Sequence, residues 1–268
     1  MGLTEGWIAG LAQGKSFYRL IGSYVESPLR WAISTGRGRE GEFLSAQGKL
    51  QLQGKKLGVS RIGSGSYVMG YVLAEREGWL DTKPPFEFVV LNDFTGLRDG
   101  VSDDSRTADA FMWEYYTTSK YYTSPPELTQ IGELPTPWPS WHIVCQSTLL
   151  PSTSLYSGDL PGPPGPPTCH PLNPDPRVSL FLTYLNTAIE YFNKHPEEAV
   201  DFIVNSKDMH YSRGDAEAWL KEVKFVQDTK KVKMEVVRGC VDTLRNAGVV
   251  DDAHGGVKTE QMVVPITW

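Results

Sequence analysis

Ser64, Gly65 and Ser66 stand where a β-rich segment turns into a helix, inside the run KKLGVSRIGSGSYVMGYVLAEREGW that spans residues 55–79. Free backbone N–H groups and the helix dipole at such a start favour an anion or a polar ligand, while serine oxygens there can cap the first turn. From the residues, ligand holding and plain capping stand level. A dinucleotide site fits poorly. Gly63 and Gly65 imitate G-x-G, but Val68 occupies the third glycine position, and Asp81 precedes the next strand instead of ending one.

Other chemistry is sparse. The chain has no G-x-S-x-G elbow, P-loop or H-E-x-x-H. Of five histidines only His142, which follows a Trp-Pro segment, is placed to look into a cleft, and a satisfied structural histidine is the better reading of it. Asp103 and Asp104 lie in a polar loop without apolar surroundings to raise a carboxyl pKa. Cys145, Cys169 and Cys240 are far apart and odd in number, which fits a reduced compartment better than a disulfide framework, and no zinc spacing occurs. A net charge of −6 argues against a general nucleic-acid binder. Lys221, Lys224, Lys230, Lys231 and Lys233 alternate with acids and read as a solvated helical face. No signal peptide is legible near Met1, and no apolar run approaches the roughly 18 residues that span a bilayer. Gly6 stands where a myristoylation motif wants Ser or Thr. The expectation is a soluble cytoplasmic protein without nucleic-acid or membrane partners and without a cofactor, its oligomeric state open.

The elements around the serine turn form a βαβ unit. Leu57–Ile62 reads as a strand, Val68, Tyr71, Val72 and Glu75 share one helical face, and Gly78 closes the helix. Phe86–Leu91 is the clearest strand, so a parallel sheet is expected, with ligand sites at strand carboxyl ends, where NDFTGLRDGV stands as a loop. Upstream, Thr4 can cap a helix whose inner face holds Ile8 and Leu11 or Ala12. Phe17–Val25 and Leu29–Ser34 are strands parted by Pro28, and a glycine-rich turn and a polar stretch lead to Gly54. Residues 107–116 read either as a helix or, at AFMWE, as a short buried strand; Leu128–Leu134 is a strand, and TPWPSWHIV an extended crossover suited to a hinge. The proline-dense stretch 147–177 reads as a disordered loop. Helices follow from Val178, over Pro196–Ile203, Asp215–Val223 and Met234–Ala247, before a tail in which VVPITW could add an edge strand.

With LTEGW, ESPLRWAIS, KKLGVSRIGSGSYVMGYVLA, NDFTGLRDGV, ADAFMWE and TPWPSWHIV in hand, the chain resembles the fungal branch of type II periplasmic-binding-protein-like proteins. That group is similar to aliphatic-sulfonate-binding proteins and to thiamine-pyrimidine synthases. The resemblance covers about residues 2–145 and 178–250. It implies an α/β fold of two lobes joined by crossover hinge strands, closing on a ligand. Lobe one is expected to be incomplete, because Met1 stands where its third strand should be ending. The implied division is 1–35 for the remnant of lobe one and the first crossover, 36–135 for lobe two and 136–145 for the return crossover. A Pro-rich insertion (146–177), C-terminal helices (178–250) and the tail (251–268) complete it. The resemblance also implies cleft residues: Thr4 and Glu5, Arg30 and Trp31, Ser64, Gly65, Ser66 and Tyr67, Phe94 and Thr95, Trp113 and Glu114, and Trp138. An aromatic cleft with a helix start and one Arg suits a small anionic or heteroaromatic ligand. Binding without catalysis is the leading expectation. The related synthases use pyridoxal phosphate and a cysteine-rich iron motif, and no such cysteine cluster occurs here; a product without a ligand is the third reading.

Overall fold

The computed structural model describes residues 1–81, 84–123, 125–150, 175–206, 211–250 and 258–264. In chain order its first elements are β1 (Gly2–Leu3), α1 (Thr4–Ala12), β2 (Tyr18–Val25), β3 (Arg30–Gly36), the single turn α2 (Glu40–Phe43), β4 (Lys56–Val59) and α3 (Gly65–Glu77). They are followed by β5 (Glu87–Val90), α4 (Phe94–Val101), β6 (Ala110–Glu114), α5 (Tyr115–Ser119), β7 (Leu128–Pro135) and β8 (Trp141–Gln146). Helices α6 (Pro176–Lys194), α7 (Pro196–Asn205), α8 (Arg213–Glu222) and α9 (Met234–Asn246) close the chain.

Two sheets result. One is three-stranded, in the order β1-β8-β2, with β8 antiparallel to both neighbours. The other is five-stranded, in the order β5-β4-β6-β3-β7, and mixed: β4 runs parallel to β5 and β6, whereas β3 is antiparallel to β6 and β7. The βαβ unit β4-α3-β5 is thus present as read. Within residues 107–116, AFMWE is the strand. Trp31–Gly36 is buried throughout, as a strand covered on both faces must be, and its small and apolar residues allow this.

Local chemistry explains most boundaries. In α3 the Ser64 side chain accepts from the Tyr67 amide, and Gly78 ends the helix at φ 73°. Val68, Tyr71 and Val72 are buried, while Glu75 faces solvent. Ser64→Ala should therefore lower stability by about 1 kcal/mol in urea denaturation, the ordinary worth of an N-cap. Helix α9 buries Val237, Cys240, Val241 and Leu244 against α1 and α3. Helix α6 turns Val178, Leu182 and Ile189 inward.

Four readings change. Thr4 does not cap α1: its hydroxyl donates to the Pro139 carbonyl at 2.5 Å and lies 2.8 Å from His142 Nδ1, tying the helix to the crossover instead. Ser66 does not cap α3; its Oγ accepts from the Ser60 amide at 3.2 Å and pairs with Ser64 Oγ at 2.9 Å. NDFTGLRDGV is a loop only at its start, since the Asp93 carboxylate accepts from the Gly96 amide at 2.8 Å and so starts α4. Of the five lysines only Lys221 is helical, because α8 stops at Glu222 and an irregular connection carries the others. Inside the expected tail, Met262 and Val264 are buried, and Val263 bridges Leu20 of β2. Most of the proline-dense stretch, together with Cys169, His170, His210, His254 and residues 265–268 of VVPITW, lies outside the described residues.

Candidate functional site

The site begins at the turn between β4 and α3. Gly63, at φ 77°, lets the chain reverse there, and the three serine hydroxyl contacts from Ser60 to Ser66 pin the turn against the end of β4. Ser64 and Ser66 are buried. As the first two helical residues, Gly65 and Ser66 have amides with no partner inside α3, and the helix dipole places partial positive charge on them. The Trp31 ring packs on Gly65, where an added Cβ would stand 3.1 Å from Cη2. Trp31 is 4% exposed, and its indole N–H has no hydrogen-bond partner among the described residues. Arg61, exposed at the head of the turn, pairs with no carboxylate among the described residues.

This turn opens on a cavity of about 1150 Å³ between the two sheets and the C-terminal helices. Seven of the expected residues reach its wall: Arg30, Trp31, Ser64, Gly65, Ser66, Trp113 and Glu114. Arg30 is not free, however. Its guanidinium holds Glu133 at 2.7 Å and Glu222 at 3.1 Å and lies 3.8 Å from the centre of the Tyr115 ring. Glu114 is likewise engaged. It caps α5 by accepting from the Tyr116 and Thr117 amides, the Thr117 hydroxyl and the Tyr211 phenol. Burial, with Glu222 beside it, pushes the neighbouring Tyr116 phenol well above its ordinary range.

The other six stand behind or away from the wall. Thr4 is buried on the crossover. Glu5 is fully buried behind Gly65: one carboxyl oxygen accepts from Trp138 Nε1 at 3.1 Å, and the other, facing Gly65, has no partner among the described residues. Burial raises the Glu5 pKa from 4.5 to about 7, against the lowering effect of its own backbone and of the Trp138 bond. The buried Cys240 thiol is pushed well up by burial and by that same carboxyl. Trp138 therefore shares the turn through Glu5 without touching the cavity. Tyr67 packs outward on Phe88 and Tyr71. Phe94 stacks on Trp113 at 5.3 Å and supports that wall from behind, while Thr95 is exposed beside it.

His142 is structural. Its ring nitrogens lie 2.8 Å from Thr4 Oγ1 and 3.2 Å from Ser23 Oγ, and burial holds its pKa down to about 4, so it is neutral. Among the described residues no group of His, Cys, Asp and Glu could hold a metal ion, and no helix is long and apolar enough to cross a membrane.

Sequence reasoning missed several wall residues. Arg61 could have been found, as a basic residue set directly before a helix start. Lys15, Trp7, Tyr211 and Trp219 carried no local signal, because distant segments bring them to the cavity.

Comparison with known proteins bears on the fold. A family model described as Ca3427-like PBP matches residues 31–134. The chain is similar to the Candida albicans CA3427 gene product, which is described as defining a new family with the generic periplasmic binding protein fold. The two share 36% identity at a TM-score of 0.78, over 99% of this chain and 78% of that one. It is also similar to the alkanesulfonate-binding protein SsuA from Xanthomonas axonopodis bound to MOPS, at 11% identity and a TM-score of 0.63, over 96% and 76% of the two chains. For the periplasmic aliphatic sulphonate binding protein SsuA from Escherichia coli the values are 13% and 0.60, over 95% and 75%. At such identities the SsuA likenesses speak of fold alone. Comparison with curated proteins produced no match.

Proposed function

This chain belongs to the Ca3427-like family of proteins with the generic periplasmic binding protein fold, and from that premise we propose that it binds a small anionic or heteroaromatic metabolite without transforming it. The observation that carries the reading is the β4–α3 turn. Two helix-start amides and Arg61, which pairs with no carboxylate among the described residues, converge on one aromatic-walled cavity. That set of donors suits an anionic group, and the Trp31 and Trp113 faces suit a flat body. Alkanesulfonate binding by the Xanthomonas relative, with MOPS bound, is consistent with an anion in this fold. Two ionisable groups of the wall are already engaged, which supports binding without catalysis: Glu114 is spent on capping α5, and Arg30 is held by Glu133 and Glu222.

In this reading one lobe is built on the three-stranded sheet and the other on the five-stranded sheet, with Thr136–Ser140 as a crossover between them. Thr4, Glu5 and Trp138 then position the turn from behind, and Phe94 braces Trp113. Arg61 is the residue that meets the ligand's charge.

Native mass spectrometry of the chain after incubation with a metabolite extract tests this. An anionic compound should be retained and released on denaturation, and Arg61→Ala should weaken its binding about tenfold, as expected for loss of a charge-assisted contact. Retention of nothing, or a ligand indifferent to Arg61, would sink the proposal.

A further inference from the structure

Glu5 and the cavity stand on opposite sides of one helix start. The Glu5 side chain is wholly buried, and its Oε1 points at Gly65, where an added Cβ would stand 3.0 Å away. Among the described residues nothing donates to that oxygen, whereas Oε2 accepts from Trp138 Nε1 at 3.1 Å. A buried carboxylate oxygen left in this way is costly unless positive charge answers it. The start of α3 offers some: a helix N-terminus carries roughly half an elementary charge, concentrated on its first free amides. Ser64, Gly65 and Ser66 of that same start line the cavity on the other side.

No neighbouring element brings a cation to Glu5 among the described residues. From α9 the Cys240 thiol lies near it, and burial together with the Glu5 carboxyl keeps that thiol protonated. His142 of β8 is reached through Thr4 and is neutral. Tyr18 of β2 donates to the Trp7 carbonyl, and burial raises its phenol. Glu260, in the segment Thr259–Met262 beside α1, is turned to Arg238 of α9 at 3.0 Å. Trp31 of β3 and the serines of α3 do not titrate. Arg61, Arg30, Glu114 and Glu222 face the cavity instead.

Two negative charges, one behind the helix start and one before it, would therefore compete for the same dipole. We propose, resting on the anion-binding reading above, that ionisation of Glu5 and occupation of the turn by an anion exclude each other, so that the protein takes up its anion together with a proton. Glu5 acts here as a positioning residue, setting the charge of the site without touching the ligand. Burial holds its carboxyl to a pKa of about 7, which places the exchange in the neutral range. The sign follows from linkage. Well below pH 7 the carboxyl is already protonated in the free protein, and the anion meets the whole dipole. Above pH 7 the free protein must first gain a proton, so affinity falls by up to about tenfold per pH unit, and reciprocally the bound anion raises the Glu5 pKa.

Calorimetric titration of the intact chain with inorganic sulfate and with benzenesulfonate, both fully ionised from pH 5.5 to 8.5, tests the linkage. Wild-type affinity should fall about tenfold between pH 6 and pH 8.5, and paired buffers of different ionisation enthalpy at pH 8 should show uptake of nearly one proton per anion. In Glu5→Gln, which keeps an acceptor for Trp138 Nε1, affinity should be flat with pH and no proton should be taken up. Infrared spectra of the wild type give a readout that needs no variant: the carbonyl stretch of a protonated, buried carboxyl should persist to higher pH once the anion is added. Binding that is weakened by Arg61→Ala yet flat with pH in wild type would overturn the linkage while leaving the anion site standing. A slope that survives in Glu5→Gln would assign the proton to another group and overturn it as well. Failure of both anions to bind at pH 5.5 would instead overturn the anion site and the linkage with it.

Discussion

Replacing Glu5 with Gln is expected to make stability far less dependent on pH, with wild type and variant diverging by about 3 kcal/mol between pH 4.5 and pH 8. The carboxyl is fully buried, one oxygen faces Gly65 without a partner, and no cation lies against it among the described residues. Desolvation therefore raises its folded pKa from 4.5 to about 7. Below pH 4.5 the group is protonated in both folded and unfolded chains and exerts no pull. As pH rises, the unfolded chain releases its proton first and is favoured, and the loss continues until the folded group ionises near pH 7 and then levels off. Glutamine keeps an acceptor for Trp138 Nε1 and carries no charge, so its curve should lack this decline. Urea midpoints across pH 4–8.5 provide the measurement. Parallel curves for the two proteins would show that the carboxyl is solvated or paired, and that the turn is not backed by a buried acid.

Gly22→Ala should be among the most damaging single-methyl additions in the molecule. Gly22 lies in β2 at a register shift against β8, and the chain at Thr229 passes so close that a Cβ would overlap the Thr229 carbonyl oxygen. That oxygen belongs to backbone, which cannot swing aside as a side-chain tip does. The Thr229 amide in turn accepts no slack, since it donates to Asn186 Oδ1 of α6 at 3.1 Å. Room for the methyl must come from moving the 224–233 connection, and α6 with it, away from the three-stranded sheet. The expected loss is on the order of 3 kcal/mol or more. Gly239→Ala is the control: the same methyl, placed on the exposed side of α9 with nothing within 4 Å, should raise stability by about 0.5–1 kcal/mol. Denaturation midpoints at unchanged slope would report both. A Gly22→Ala protein within 1 kcal/mol of wild type would mean that β2 and the connection are farther apart than described.

How far the sequence reaches can be judged from particular segments. Strands β2, β3, β5 and β7 and helices α3, α6, α7, α8 and α9 were legible within a residue or a few of their ends. Their signals are local: apolar period, Ser64 and Gly78 at the two ends of α3, and Pro196 in the first turn of α7, whereas α6 starts at Pro176, inside the stretch read as a loop. Helix α4 was hidden because its start rests on one Asp93 bond in a stretch rich in glycine. Segment 107–116 could not be settled from its residues, which read as a helix or, at AFMWE, as a short buried strand, and pairing with β3 and β4 selects the strand.

The sequence by itself therefore determined the α/β class, the βαβ unit and a helix start furnished with serines, because each depends on neighbours within a few positions. Only the tertiary structure decided what those groups face. Glu5 meets Trp138 across 133 residues, and Arg30 meets Glu222 across 192. Those contacts turn one expected ligand contact into a buried acid behind the wall and the other into a paired cation. The physical reason is that a side chain's charge state and availability are set by the burial and partners that distant segments bring to it, and no local period or cap encodes these.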